Sequence, residues 1–186
     1  MYSAKQLSLL VLVLAQLLGA IHCAIYDNTD NWVLADKTKT FPENAVLGGF
    51  DSNGYDNFVA RVVSGNNILP ARVVSETGGA SYNTDATAYT ANSYELLVSN
   101  ATLSYQWVRS YDGYREKNAV AVGTNSSNDL IYICRARVDN GQYIGSLYLA
   151  KRKCFIKIGT LALRQLEKYE VLVRESKSAP WSPFEA

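Results

Sequence analysis

Five landmarks of this sequence recur in the same order at a spacing of 74 or 75 residues. Trp32-Val33 returns as Trp107-Val108, Asn44-Ala45-Val46 as Asn118-Ala119-Val120, Gly49 as Gly123, Arg61 as Arg135, and Tyr94-Glu95-Leu96-Leu97-Val98 as Tyr169-Glu170-Val171-Leu172-Val173. Ordered landmarks with slips of one residue mark a tandem duplication, one supersecondary unit used twice. A unit of about 75 residues buries little apolar surface alone, so the two copies are expected to share one core. Trp181 follows Trp107 by 74 residues, which suggests that the tail 177–186 supplies a closing strand.

Within each copy the apolar pattern is that of strands. Phe58–Val63, Leu130–Ala136, Tyr143–Leu149, Cys154–Ile158 and Tyr169–Val173 are short and rich in β-branched and aromatic residues. Asn53-Gly54, Gly65-Asn66-Asn67, Gly78-Gly79 and Asn140-Gly141 punctuate them with turn chemistry. The fold class expected is all-β, two intertwined repeats in a sandwich or barrel-like arrangement, over residues 24–100 and 101–176. Leu161–Lys168 has helical propensity, but its first-copy counterpart Ala86–Ser93 does not, so both are expected to be irregular or extended.

Residues 1–23 read as a secretory signal peptide, with Lys5, an apolar run from Leu7 to Leu18, and the small-residue stretch ending at Cys23. That run is about a dozen residues, short of the roughly 20 that a spanning helix needs. Removing 23 residues from 186 leaves 163 with no histidine, no methionine, two cysteines, and 17 basic against 17 acidic side chains. Without histidine no Ser-His-Asp or Cys-His pair and no histidine-ligated zinc site can be built. A neutral chain lacks the basic excess that gives nucleic-acid binders their phosphate affinity. Asp51–Asp56 lacks the ligand spacing and distal Glu of a calcium loop. The expectation is therefore a secreted protein without catalysis, metal, cofactor, nucleic acid or membrane span. Asn100-Ala101-Thr102 and Asn125-Ser126-Ser127 are N-glycosylation sequons and fit that compartment.

The run Asn44-Ala45-Val46-Leu47-Gly48-Gly49-Phe50-Asp51-Ser52-Asn53-Gly54, then Phe58-Val59-Ala60-Arg61, Ile68-Leu69-Pro70-Ala71-Arg72 and Tyr94-Glu95-Leu96-Leu97, resembles the DM-nine repeat family. The second copy carries the same resemblance through Asn118-Ala119-Val120, Ile131–Ala136, Cys154-Phe155-Ile156 and Tyr169–Leu172. The resemblance implies a tandem all-β fold. Characterised molluscan members are mannose-binding lectins of innate immunity, often homodimers, so it also implies glycans or glycoproteins as partners.

In those lectins an Asp of a Gly-Gly-x-Asp stretch and a Lys closing a Pro-Gly-Lys turn hold the sugar. The matching positions here are Asp51 and Arg72. A carboxylate accepts from sugar hydroxyls, a cation donates to their oxygens, and each charge balances the other. Arginine is not lysine, however, and its planar fork alters which sugar fits. Ala71 also replaces the family glycine, removing freedom from the turn if that glycine sits at positive φ. In the second copy the same positions read Asn125 and Leu147, a degenerate site, so at most one binding site per chain is expected, in the first copy.

Cys134 and Cys154 fall in neighbouring predicted strands of one hairpin, and their first-copy counterparts, Ala60 and Gly79, lack thiols. That paired difference fits a cross-strand disulfide; two buried thiols that never pair fit the same residues. A secreted structural or interaction protein that has lost sugar binding, as in a matrix or eggshell, is the alternative function. An enzyme ranks third, since no Gly-rich strand-to-helix loop is present to hold a nucleotide-like cofactor.

Overall fold

The computed structural model describes residues 24–177. The signal segment 1–23, and the tail strand with Trp181, lie outside the described residues except for Lys177. Among the described residues the fold has fourteen strands and one short 3-10 turn. The first copy supplies β1 (Trp32–Asp36), β2 (Leu47–Phe50), β3 (Asp56–Ser64), β4 (Asn67–Val74), β5 (Ala80–Asn83), β6 (Ala88–Ala91) and β7 (Ser93–Leu97). The second supplies β8 (Leu103–Tyr111), β9 (Ala121–Thr124), β10 (Leu130–Val138), β11 (Gly141–Tyr148), β12 (Lys153–Ile156), β13 (Arg164–Leu166) and β14 (Lys168–Ser176). The helix-prone segment Leu161–Lys168 is extended, with β13 at its centre.

Pairing repeats strand for strand. β3 pairs with β4, β7 and β2; β10 pairs with β11, β14 and β9; β1 lies on β7 as β8 lies on β14. All pairs are antiparallel and form one open sheet, in which β2 meets β11 at Phe50 and Gln142 and so joins the copies. Residues on either side of β2 and β9 explain the glycines at the repeat landmark. A Cβ on Gly49 would lie 2.3 Å from the Gln142 carbonyl oxygen, and one on Gly123 would lie 2.6 Å from that of Ile25. Close backbone approach requires glycine at both positions.

The sheet curls so that Val59, Ile68, Leu96 and Leu97 of the first copy bury against Val120, Val122, Ile131, Ile133, Ile144 and Leu172 of the second. One shared core thus results, as the small size of each unit demands. A further cluster around Tyr132, Cys134, Leu147, Cys154 and Val171 belongs to the second copy. Inside it Cys134 and Cys154 are disulfide-bonded, with Cα atoms 6.0 Å apart. Their strands are not neighbours: β11 runs between β10 and β12. Between them lies Gly145, opposite Cys134 on β11, where a Cβ would lie 2.3 Å from the Phe155 carbonyl oxygen. Register also places Cys154 opposite Leu147 as Ala80 lies opposite Val73, so the first-copy counterpart is Ala80 rather than Gly79.

Residues 24–31 break the symmetry. They run along β9, with Tyr26 bridged to Gly123 and the Thr124 N–H donating to the Ile25 carbonyl at 2.9 Å. Asp30, buried, then accepts from Arg174 Nε at 2.6 Å and Nη2 at 2.5 Å. The N-terminal part of the first copy is therefore fastened to the last strand of the second.

Candidate functional site

Asp51 ends β2 and closes the turn to β3. Its Oδ1 accepts from the N–H groups of Asn53 at 2.8 Å and Tyr55 at 3.0 Å, and its own N–H donates to the Tyr55 carbonyl at 2.9 Å. Asn125 does the same in the second copy, accepting from Ser127 and Asp129, both at 2.9 Å. The two positions are structurally equivalent, and the turn uses a side-chain oxygen without needing a charge.

Arg72 lies in the middle of β4, buried, so Pro70-Ala71-Arg72 is strand and not turn. Ala71 pairs with Ala60 in a regular ladder, and the absence of a glycine there costs no turn. The guanidinium reaches across to the second copy. Its Nη2 donates to the Lys157 carbonyl at 3.3 Å, and its Cζ lies 5.3 Å from the centre of the Tyr143 ring. Burial pushes its pKa down to about 10, partly offset by Tyr143.

Asp51 and Arg72 do not balance one another. No ion pair joins them within 4.0 Å, because each faces a different part of Tyr143. The ring lies against Arg72, and the hydroxyl accepts from the Ser52 N–H at 3.0 Å. Tyr143 is thus the residue that sequence reasoning missed, and it comes from the other copy.

Beside Arg72 opens a cleft of about 360 Å³ lined by Arg72, Ser81, Tyr89, Thr90 and Thr160, with Ala88 and Gly159 completing it. Strand register explains the lining. Arg72 pairs with Ser81 and Ser81 with Thr90, so the three stand in one row across β4, β5 and β6. Tyr89 pairs with Tyr82 and stacks on it at 5.5 Å, so its exposed ring stands on the opposite face of β6 from Thr90, while the loop after β12 adds the Thr160 hydroxyl to the cleft. A cation and three hydroxyls in one small cleft supply the donors and acceptors that a sugar's hydroxyls require.

The second copy has no such row. Its register runs Ser146, Phe155, Gln165, so Ser146 and not Leu147 stands where Arg72 stands. Leu147 corresponds to Val73, a buried core position. Ser146 Oγ donates to the Asn83 carbonyl at 3.5 Å, the mirror of Arg72 on Lys157, and Phe155 is buried where Ser81 borders the cleft.

Besides a cleft of about 670 Å³ along residues 113–118, two others lie in the second copy. One, of about 590 Å³, runs over Arg109, Arg135, Arg137, Lys168 and Glu170 on the outer face of β8, β14 and β10. The other, of about 400 Å³, contains Asn125, Arg115, Tyr132, Tyr148 and Lys151, so a glycan on Asn125 would stand at its mouth. Asn100 of the other sequon is exposed, its Oδ1 accepting from Thr102 Oγ1 at 3.0 Å. Among the described residues no group of three or more His, Cys, Asp or Glu is placed to hold a metal. Among them, too, no helix is long and apolar enough to cross a membrane.

The family model of the DM9 repeat matches residues 51–165, more than half of the chain. No curated protein sequence matches it. Among solved structures it is similar to the nematode sperm cell motility protein MFP2B, with a TM-score of 0.54 and 15% identity. The match covers 85% of this chain and 46% of that one, and at this identity it speaks to the fold alone.

Proposed function

The chain belongs to the DM9 repeat family, a non-enzymatic binding type of domain, and from that premise we propose that it is a secreted, non-catalytic, lectin-like protein that binds carbohydrate at one site in its first copy. The observation that carries this reading is the row Arg72, Ser81, Thr90, which with the Thr160 hydroxyl forms a small polar cleft. Arg72 donates to ring or hydroxyl oxygens, and the hydroxyls of Ser81, Thr90 and Thr160 both donate and accept. Asp51 acts through its loop, which holds the Tyr143 hydroxyl by way of Ser52. The resemblance to molluscan lectins adds mannose-type glycans, innate immune recognition and a homodimer to this reading.

A glycan array with the wild type, Arg72→Gln and Asp51→Ala tests it. Wild type binds, Arg72→Gln loses binding, and Asp51→Ala weakens it by less. A second reading has its own support: Arg72 is buried and bonded across the seam, as expected for a secreted structural or interaction protein in which it only ties the copies together. An array on which folded wild type binds no glycan establishes that second reading in place of the first.

A further inference from the structure

Arg72 differs from the other arginines that the fold buries or half-buries at a partner. Arg61 is paired with Glu95 at 2.7 Å, Arg135 with Glu170 at 2.7 Å, and Arg174 with Asp30 at 2.5 Å. Arg72 is buried and, among the described residues, has no carboxylate within 4.0 Å. Its contacts are one carbonyl oxygen and one aromatic ring, and Nε and Nη1, without a protein acceptor among those residues, are not sealed from solvent but open to the cleft. Taking a cation out of water is costly unless an anion or a full set of acceptors replaces the solvent. Burial already depresses its pKa.

The cleft beside it is lined by no acidic residue, only by the hydroxyls of Ser81, Thr90 and Thr160, by small residues, Tyr89 and the Arg72 side chain. Neutral hydroxyls of a hexose do not supply the missing charge, whereas a carboxylate or sulfate presents two oxygens to a guanidinium fork. Resting on the carbohydrate reading above, we infer that the cleft selects an acidic saccharide, whose uronate carboxylate or sulfate ester meets the free edge of Arg72. The Ser81, Thr90 and Thr160 hydroxyls then take the remaining oxygens.

Calorimetric titration of the full chain with methyl β-glucuronide, glucose 6-sulfate and methyl α-mannoside decides the matter. At least one acidic sugar binds ten times or more tighter than the mannoside, and which of the two does so distinguishes carboxylate from sulfate. Arg72→Gln, checked for folding by circular dichroism, abolishes that preference. Ser81→Asp provides a variant independent of Arg72 loss: it places a carboxylate beside Arg72 in register, so it raises Tm and abolishes acidic-sugar binding. Mannoside binding equal to or tighter than both acidic sugars overturns the inference while leaving the carbohydrate reading intact. Unchanged acidic-sugar affinity in Ser81→Asp also overturns it. If no sugar of any kind binds, the carbohydrate reading fails together with it.

Discussion

At Arg61 and Arg135 the two copies use the same parts, an arginine on a carboxylate of the neighbouring strand, with Cζ 4.4 Å and 4.3 Å from the Trp32 and Trp107 rings. Each also donates across the seam, Arg61 to the Val122 carbonyl at 2.9 Å and Arg135 to that of Gly48 at 3.0 Å. The difference is the lid. Tyr26 covers the outer face of Arg61 at 4.5 Å, and Asp27 and Asn28 accept from it, whereas Arg135 has Gln142 beside its Glu170 partner. A duplicated fold keeps its framework where both copies need it and diverges where only one copy meets a neighbour. The same division explains the cleft, since the first copy keeps Arg72 and Ser81 where the second has Ser146 and Phe155.

The comparison is sharpened most by breaking both arginine pairs. Arg61→Ala leaves Glu95 uncompensated in a site where the arginine side chain is 2% exposed, and we expect a loss of about 3–5 kcal/mol. Arg135, 15% exposed, should lose clearly less, and equal losses in urea unfolding would show that the N-terminal lid contributes nothing. Next comes the disulfide. The double change Cys134→Ala, Cys154→Ala restores the first-copy residues, and a closed loop of 20 residues corresponds to about 3 kcal/mol in the chain-entropy account. A loss below about 1 kcal/mol would mean that the second copy is as well packed with alanines as the first.

Asn57 is buried, and neither polar atom of its side chain has a partner among the described residues, whereas the second copy has Ile131 at the equivalent place. Asn57→Val should raise stability by about 1 kcal/mol by removing an unsatisfied amide, read as a higher Tm. Asp51→Asn should have the smallest effect, within about 0.5 kcal/mol, because Asn125 already makes the same turn bonds. A larger loss would show that the carboxylate charge matters to the first copy in a way the second copy does without.

The repeat, the strands and the shared core were legible because hydrophobic alternation and turn residues are local signals. The strand-by-strand symmetry followed from the landmarks. What was not legible was register to the residue. The offset is 75 at Trp32, 74 from Asn44 through Ala80, and 75 again at Tyr94, so the slips fall in the β1–β2 and β5–β6 connections. A one-residue error turned Ser146 into Leu147 and Ala80 into Gly79, and in a strand one residue reverses the face. The cleft was half visible. Arg72 carries a motif, but Tyr143, Lys157 and Thr160 come from the other copy, and no local pattern announces a contact made across the seam.

The bond between Asp30 and Arg174 spans 144 positions. During synthesis at roughly 5–20 residues per second, the aspartate therefore waits about 7 to 30 s before its partner has even been made. Arg61 likewise waits for the carbonyl of Val122. The first copy cannot complete its contacts ahead of the second, so the full set of bonds across the seam forms only after Arg174 has been made, with folding slowed by the long loops that must close.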